Sequence, residues 1–196
     1  MIAAANLKTL QERIARHGDT AAYKELFLTF YNPLLRFAIS FVKSREQAEE
    51  IVSDVFIHIW EKRNRLQGIG NLKVYLFISI KNTALNYISR QKNKPSFDIN
   101  EATLDLESIY FDPLQLMVTG EMVARIRAAI EQLPPKCKLI FKLVKEDDLT
   151  HREVADILSL SVKTVEAQLA IALKKIGKTI QFDRNRVIHS PASSTR

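Results

Sequence analysis

From Thr20 to Phe182, apart from a stretch near 92–110 where the pattern fades, apolar residues return every three or four positions. Nowhere do they alternate every second position over a useful length. The first period is that of a helix with one buried face, and the second is that of a half-buried strand. The pattern therefore predicts an all-α chain. Breakers are scarce, with five Gly and six Pro in 196 residues, so long helices are favoured. At 46% hydrophobic and 26% charged residues the chain has the balance of a folded protein, with room for one ordinary domain or two small ones.

Local signals divide the pattern into elements. Thr20 to Lys43 carries Leu26, Phe27, Phe30, Leu34, Leu35, Phe37, Ala38 and Phe41 at helical spacing, with Asn32-Pro33 as a point where the helix can restart. Ser44 and Gln47 stand in capping-box relation before the stripe Ile51, Val52, Val55, Phe56, Ile59, with Trp60 at its edge. Gly68 and Gly70 bracket a loop, and Asn71 can cap a helix running to about Arg90. Between Lys92 and Tyr110 periodicity fades, Pro95 intervenes and acids accumulate, as in a linker. Asp112-Pro113 reads as a cap and first helical residue of a helix to about Gln132, and Pro134-Pro135 as the start of the next. After Phe182 the composition turns polar, and the tail is expected to be disordered.

Charge is arranged in three blocks. Residues 1–92 hold 14 basic and 8 acidic side chains, 93–120 hold one and five, and 121–196 hold 14 and 9. The total of +7 is thus +6, −4 and +5 along the chain. Between Lys62 and Lys94 there are eight basic residues and no acid. Such a run can be a solvated face, but its complete lack of acids fits a phosphate-facing surface better.

Residues 150–176 read as a helix-turn-helix. Thr150 and Glu153 form a second capping box, and Val154, Ala155, Ile157 and Leu158 make the first inner face. Ser159-Leu160-Ser161 supplies the turn, with Ser159 where Gly is often found. Ser161 caps a second helix whose inner face is Val162, Val165, Leu169 and Leu173. Its outer face offers Lys163, Thr164, Glu166, Ala167, Gln168 and Lys174, side chains able to meet base edges or phosphate in a major groove. An αα-hairpin within a bundle is the plainer alternative.

Several classes drop out. Cys137 is the sole cysteine, so no disulfide framework or CxxC metal clip is available. No apolar run approaches the ~18 residues of a membrane span, and the N-terminus does not read as a signal peptide. A reduced, cytoplasmic protein is the expectation. His17, His58, His151 and His189 are scattered, and no P-loop, nucleophile elbow or paired-carboxylate site is present. No catalytic residue, cofactor, metal or small-molecule substrate is expected.

Two basic helical blocks, an acidic linker and a C-terminal helix-turn-helix resemble the ECF (extracytoplasmic-function) sigma factors of bacterial RNA polymerase, over about residues 20–178. AEEIVSDVFIHIW (48–60) is similar to the family's polymerase-binding helix, with Glu50 and Ser53 where Asp and Gln are frequent. YLFISIKNTALNYISRQ (75–91) is similar to its −10 reader, with Tyr75 for a usual Trp and Asn86 for a usual Asp. LPPKCKLIFKLV (133–144) matches the approach to its −35 reading motif. The resemblance implies core-polymerase contacts at Glu50, Asp54, Phe56 and Trp60. It implies −10 contacts at Lys62, Arg63, Arg65, Asn71, Lys73, Tyr75, Lys81, Asn82, Asn86 and Arg90, with a flipped base captured in the loop 66–72. For the −35 element it implies Arg152, Ser161, Lys163, Thr164, Glu166, Gln168 and Lys174.

The implied domains are 1–92 for core binding and the −10 element, an acidic linker at 93–112, a helix-turn-helix domain at 113–182 and a tail at 183–196. The implied partners are core RNA polymerase, promoter DNA and an anti-sigma factor, which in the family is commonly a membrane-anchored inhibitor. The main rival is a two-domain helix-turn-helix regulator that binds DNA without serving polymerase. Such a regulator has no need of the segments 48–60 and 75–91.

Overall fold

The computed structural model describes the backbone of residues 4–92 and 120–188, and side-chain surroundings within 6–90 and 123–178. The linker, the Asp112-Pro113 cap and the last eight residues lie outside the described residues. Eight α-helices and one 3-10 helix are described, without a strand among them. In chain order they are α1 (Ala4–His17), α2 (Thr20–Val42), α3 (Arg45–Glu61), the 3-10 helix (Arg63–Gly68), α4 (Leu72–Lys92), α5 (Gly120–Glu131), α6 (Pro135–Lys145), α7 (His151–Leu158) and α8 (Val162–Ile188). Packing separates two units. One holds α1 to α4, the 3-10 helix and Ala155–Leu160; the other holds α5, α6, the start of α7 through Val154, and α8.

The first unit is built on α2, whose Leu26, Phe30, Leu34, Phe37, Ala38 and Phe41 are buried. Helices α3 and α4 both pack on α2, and α1 packs on α2 and the 3-10 helix. Phe37 meets Phe41 and Phe77 edge-on, each at 5.1 Å between ring centroids, so Phe77 belongs to the core. Pro33 does not restart α2: the helix runs through it from Thr20 to Val42. Proline in a helix interior costs about 3 kcal/mol, and burial of large apolar side chains on both flanks outweighs that cost.

Helix α1 carries a signal that the sequence reading passed over, namely Leu7, Leu10 and Ile14 at helical spacing. Leu10 and Ile14 are buried. Gly18 ends the helix in the left-handed region at φ +57°, where a Cβ would lie 3.3 Å from Arg63 Nε. Asp19 then caps α2, accepting from the Ala21 and Ala22 N–H groups at 2.9 and 3.0 Å and from the Arg13 guanidinium. These bonds, the Ala22 N–H first, hold its carboxyl below the usual aspartate range.

In the second unit, Ala129, Leu133, Cys137, Ala172 and Ile176 form one buried cluster. Lys138 is buried as well, with Glu131 accepting from it at 3.1 Å and from Lys142 at 3.3 Å. Helix α8 departs from expectation twice. Val162 and Leu173 are exposed, and Ala172 and Ile176 take the inner positions beside Val165 and Leu169. At 3.6 residues per turn, Val162 and Leu173 sit about 60–80° around the helix from Val165, outside the buried arc. The helix also continues to Ile188, past Phe182. Polar composition alone does not end a helix, and the next proline comes only at Pro191.

Candidate promoter and polymerase interface

Helix α3 begins at Ser44, whose hydroxyl accepts from Gln47 N–H at 3.3 Å. Its inner face is Ala48, Ile51, Val52, Val55, Phe56 and Ile59. Phe56 is held by Phe27 at 4.8 Å and Tyr23 at 6.2 Å, and the Tyr23 hydroxyl donates to Phe56 O at 2.7 Å. Burial raises the Tyr23 phenol to about 12. Trp60 is half-buried, packed against the Tyr23 ring at 4.8 Å with the planes tilted by 53°, and covered by the Arg63 guanidinium at 4.9 Å.

With that face fixed inward, Glu50, Asp54, Ile57 and Glu61 stand in one exposed line at i, i+4, i+7 and i+11. Of the four residues expected to meet polymerase, Glu50 and Asp54 are therefore exposed, while Phe56 is core and Trp60 lies between. Ile57 is 56% exposed in the middle of the acidic line, off the buried stripe and on the same face as Glu50, Asp54 and Glu61.

Beyond α3 the chain tightens into the 3-10 helix. Lys62 and Arg65 are exposed there, whereas Arg63 is half-buried and donates to Trp60 O at 3.0 Å. Asn71 caps α4 by accepting from Val74 N–H at 3.1 Å. Along α4, Leu72, Leu76, Phe77, Ile80, Ala84 and Ile88 are buried. Tyr75, Asn82, Asn86 and Arg90 share one stripe; Tyr75 is half-buried and the other three are exposed. Lys73 is half-buried.

Lys81 stands apart from this surface. It is buried, its ammonium donates to Ser159 Oγ at 3.0 Å within the same unit, and burial lowers its pKa. Among the basic −10 candidates, Lys62, Arg65 and Arg90 are the exposed ones.

The second unit sets out the −35 candidates. Thr150 and Glu153 close the capping box of α7 reciprocally, Glu153 N–H to Thr150 Oγ1 at 3.3 Å and Thr150 N–H to Glu153 Oε2 at 2.8 Å. Ser161 caps α8 by accepting from Thr164 N–H at 3.0 Å, and the two hydroxyls share a 2.7 Å bond. Arg152, Ser161, Lys163, Glu166 and Lys174 are exposed; Thr164 and Gln168 are half-buried. His151 Nδ1 lies 3.7 Å from Glu166 Oε1, so Glu166 has a neighbour that attracts it when protonated. The Gln168 carbonyl accepts from the buried Cys137 thiol at 3.1 Å, and burial raises that thiol's pKa.

The connection between the two helices runs through Ser159, whose φ is +56°. A residue other than glycine thus occupies the left-handed turn position.

These two modules match two models of one family. Residues 26–94 match sigma-70 region 2, and residues 124–176 match sigma-70 region 4. Along most of its length the chain is similar to the ECF RNA polymerase sigma factor RpoE of Cereibacter sphaeroides, 25% identical over 168 residues, 85% of this chain and 91% of that one. The chain belongs to the ECF sigma factors of the sigma-70 family. The ECF RNA polymerase sigma-E factor of Escherichia coli K12 is also 25% identical, over 182 residues, 89% of this chain and 94% of the relative.

Among solved structures, CnrH in complex with the cytosolic domain of CnrY matches with TM-score 0.54 and 19% identity, over 91% of this chain and 99% of that one. RpoE from Bartonella quintana, in complex with the anti-sigma factor NepR, matches with TM-score 0.54 and 20% identity, over 82% and 98%. ECF sigma factors are regulatory subunits of RNA polymerase that direct transcription initiation; they are not its catalytic subunits. Among the described residues of this sigma factor, no helix is long and apolar enough to cross a membrane.

Proposed function

We propose that this ECF sigma factor docks on core polymerase through the exposed line of α3, reads the −10 element with α4 and the loop before it, and reads the −35 element with the first turns of α8. The observation that carries this reading is the separation of faces on adjacent helices. The line Glu50, Asp54, Ile57, Glu61 is acidic around one apolar residue, whereas the α4 stripe is amide-rich with Arg90 at its end. The first suits a basic protein partner with an apolar spot, and the second suits unpaired bases beside phosphate.

Lys62, Arg65 and Arg90 are the phosphate grips of this scheme, and Asn82 and Asn86 reach neighbouring bases. Arg63 acts indirectly by covering Trp60, and Lys81, buried and bonded to Ser159, is not among the phosphate grips. On α8, Lys163 and Glu166 face the groove with Gln168 at their edge, and Arg152 on α7 and Lys174 farther along α8 meet phosphate. The acidic segment 93–112 joins the domains 1–92 and 113–182. A protein that works on DNA in this way would act in the cytoplasm, and that is the location proposed here. The companion of one structural relative, NepR, is an anti-sigma factor, and an anti-sigma factor is the proposed regulator here too.

Equilibrium binding of fluorescently labelled chain to core polymerase tests the docking face. Asp54→Arg reverses an exposed charge and is expected to weaken core affinity by about 2 kcal/mol or more without changing the thermal unfolding of the protein. Affinity equal to that of the unaltered chain would remove Asp54 from the docking face.

A further inference from the structure

The loop before α4 is held from a direction that the region 2 match does not include. That match begins at residue 26, and α1 lies before it. Gln11 on α1 is 7% exposed, and both hydrogens of its amide are used. Its Nε2 donates to Leu66 O at 2.6 Å and to Ile69 O at 2.7 Å, across 55 and 58 residues of sequence. Leu66 O also accepts from Ile69 N–H at 3.0 Å, and the Leu66 side chain is buried. The turn is thus tied through its own carbonyls, a constraint indifferent to most of the side chains it carries.

On the other side the loop is open. A Cβ built on Gly68 or Gly70 would meet nothing within 4 Å. Asn71 anchors the far end by capping α4. The segment is therefore pinned at Leu66 and Ile69 to α1 and at Asn71 to α4, while space is left beside the two glycines.

From this geometry we infer that Gln11 is a positioning residue: it presets the 66–71 backbone in the shape that receives an unpaired promoter base. The inference rests on the proposed role of that loop in −10 recognition. Preorganisation matters because a loop ordered only on binding subtracts its ordering entropy from the affinity. A flexible loop also loses discrimination, since several shapes then accept several bases.

Gln11→Met keeps the length and burial of the side chain but removes both donors. In holoenzyme assembled with core polymerase, binding is measured to fork-junction DNA whose −10 strand is unpaired and substituted base by base. Loss of the two bonds is expected to weaken that binding roughly tenfold and to flatten the preference at one unpaired position. Hydrogen exchange of the 66–71 amides should rise, while core affinity and binding to duplex −35 DNA stay unchanged.

Leu10→Ala loosens the docking of α1 without touching the two carbonyl bonds, and is expected to retain the base preference. If Leu10→Ala flattens the preference as much as Gln11→Met, the role of Gln11 is merely structural and the inference fails. It fails equally if folded Gln11→Met discriminates as the unaltered protein does. Should Gln11→Met not fold, Gln11→Asn, whose shortened amide cannot span both carbonyls, must show the same selective loss. Absence of any base preference in the unaltered holoenzyme would instead overturn the reading of the loop.

Discussion

Single residues in this sigma factor divide by whether their polar atoms are already occupied. Ser161, Asn71 and Asp19 have the composition of ligand-binding residues, yet each is occupied in capping a helix. Asp54 and Asn82 are exposed on faces that no neighbouring helix covers, so they can be altered at little cost to stability. Tyr23 is the opposite case, joining α2 to the Phe56 carbonyl of α3 through a phenol raised from 10.0 to about 12.

A raised acid pKa means that folding favours the protonated form, so this contribution is complete below pH 10 and is lost as pH climbs from 10 towards 12. Tyr23→Phe is therefore expected to be less stable than the unaltered protein by about 1 kcal/mol at neutral pH. The gap should narrow across that alkaline window in urea unfolding curves; a gap constant with pH would contradict the cause assigned here.

Among elements, the helices with explicit caps were the most legible. Ser44, Asn71, Thr150 and Ser161 all cap where the sequence pattern places them, because a short side-chain oxygen opposite free N–H groups is a local matter. Legibility failed where tertiary packing decides. Continuity of α2 through Pro33 depends on what its flanks bury, and the inward turn of Ala172 in place of Leu173 depends on which arc of α8 meets the cluster around Cys137.

Within the candidate site, the exposed Asn82–Asn86–Arg90 stripe followed from helical periodicity. The burial of Lys81, the cover that Arg63 gives Trp60 and the clamp from Gln11 did not, since each joins groups that no spacing rule relates. Helix α7 is only eight residues long and draws on its capping box. Thr150→Ala should lower the unfolding free energy of its unit by about 1 kcal/mol and weaken −35 duplex binding in proportion, measured by thermal melting and anisotropy. Unchanged melting would show that α7 is held by its burial alone.

At the scale of the whole molecule, the net +7 resolves along the chain into basic, acidic and basic blocks. The segment matched by sigma-70 region 2 carries 11 basic and 5 acidic residues and that matched by region 4 carries 10 and 7, while residues 95–123 between them hold six acids and no base. Promoter affinity should consequently fall steeply with salt, with a slope of about −0.9 per phosphate gripped on duplex DNA and a shallower one on the melted strand.

Run-off transcription with purified core polymerase, with and without this chain, on the promoters of its own genome probes the account most directly. Discrete start sites should appear only when the chain is present, and should vanish when Asp54→Arg replaces it. Core polymerase that gains no promoter-specific start site from the chain on any of those templates would contradict the account.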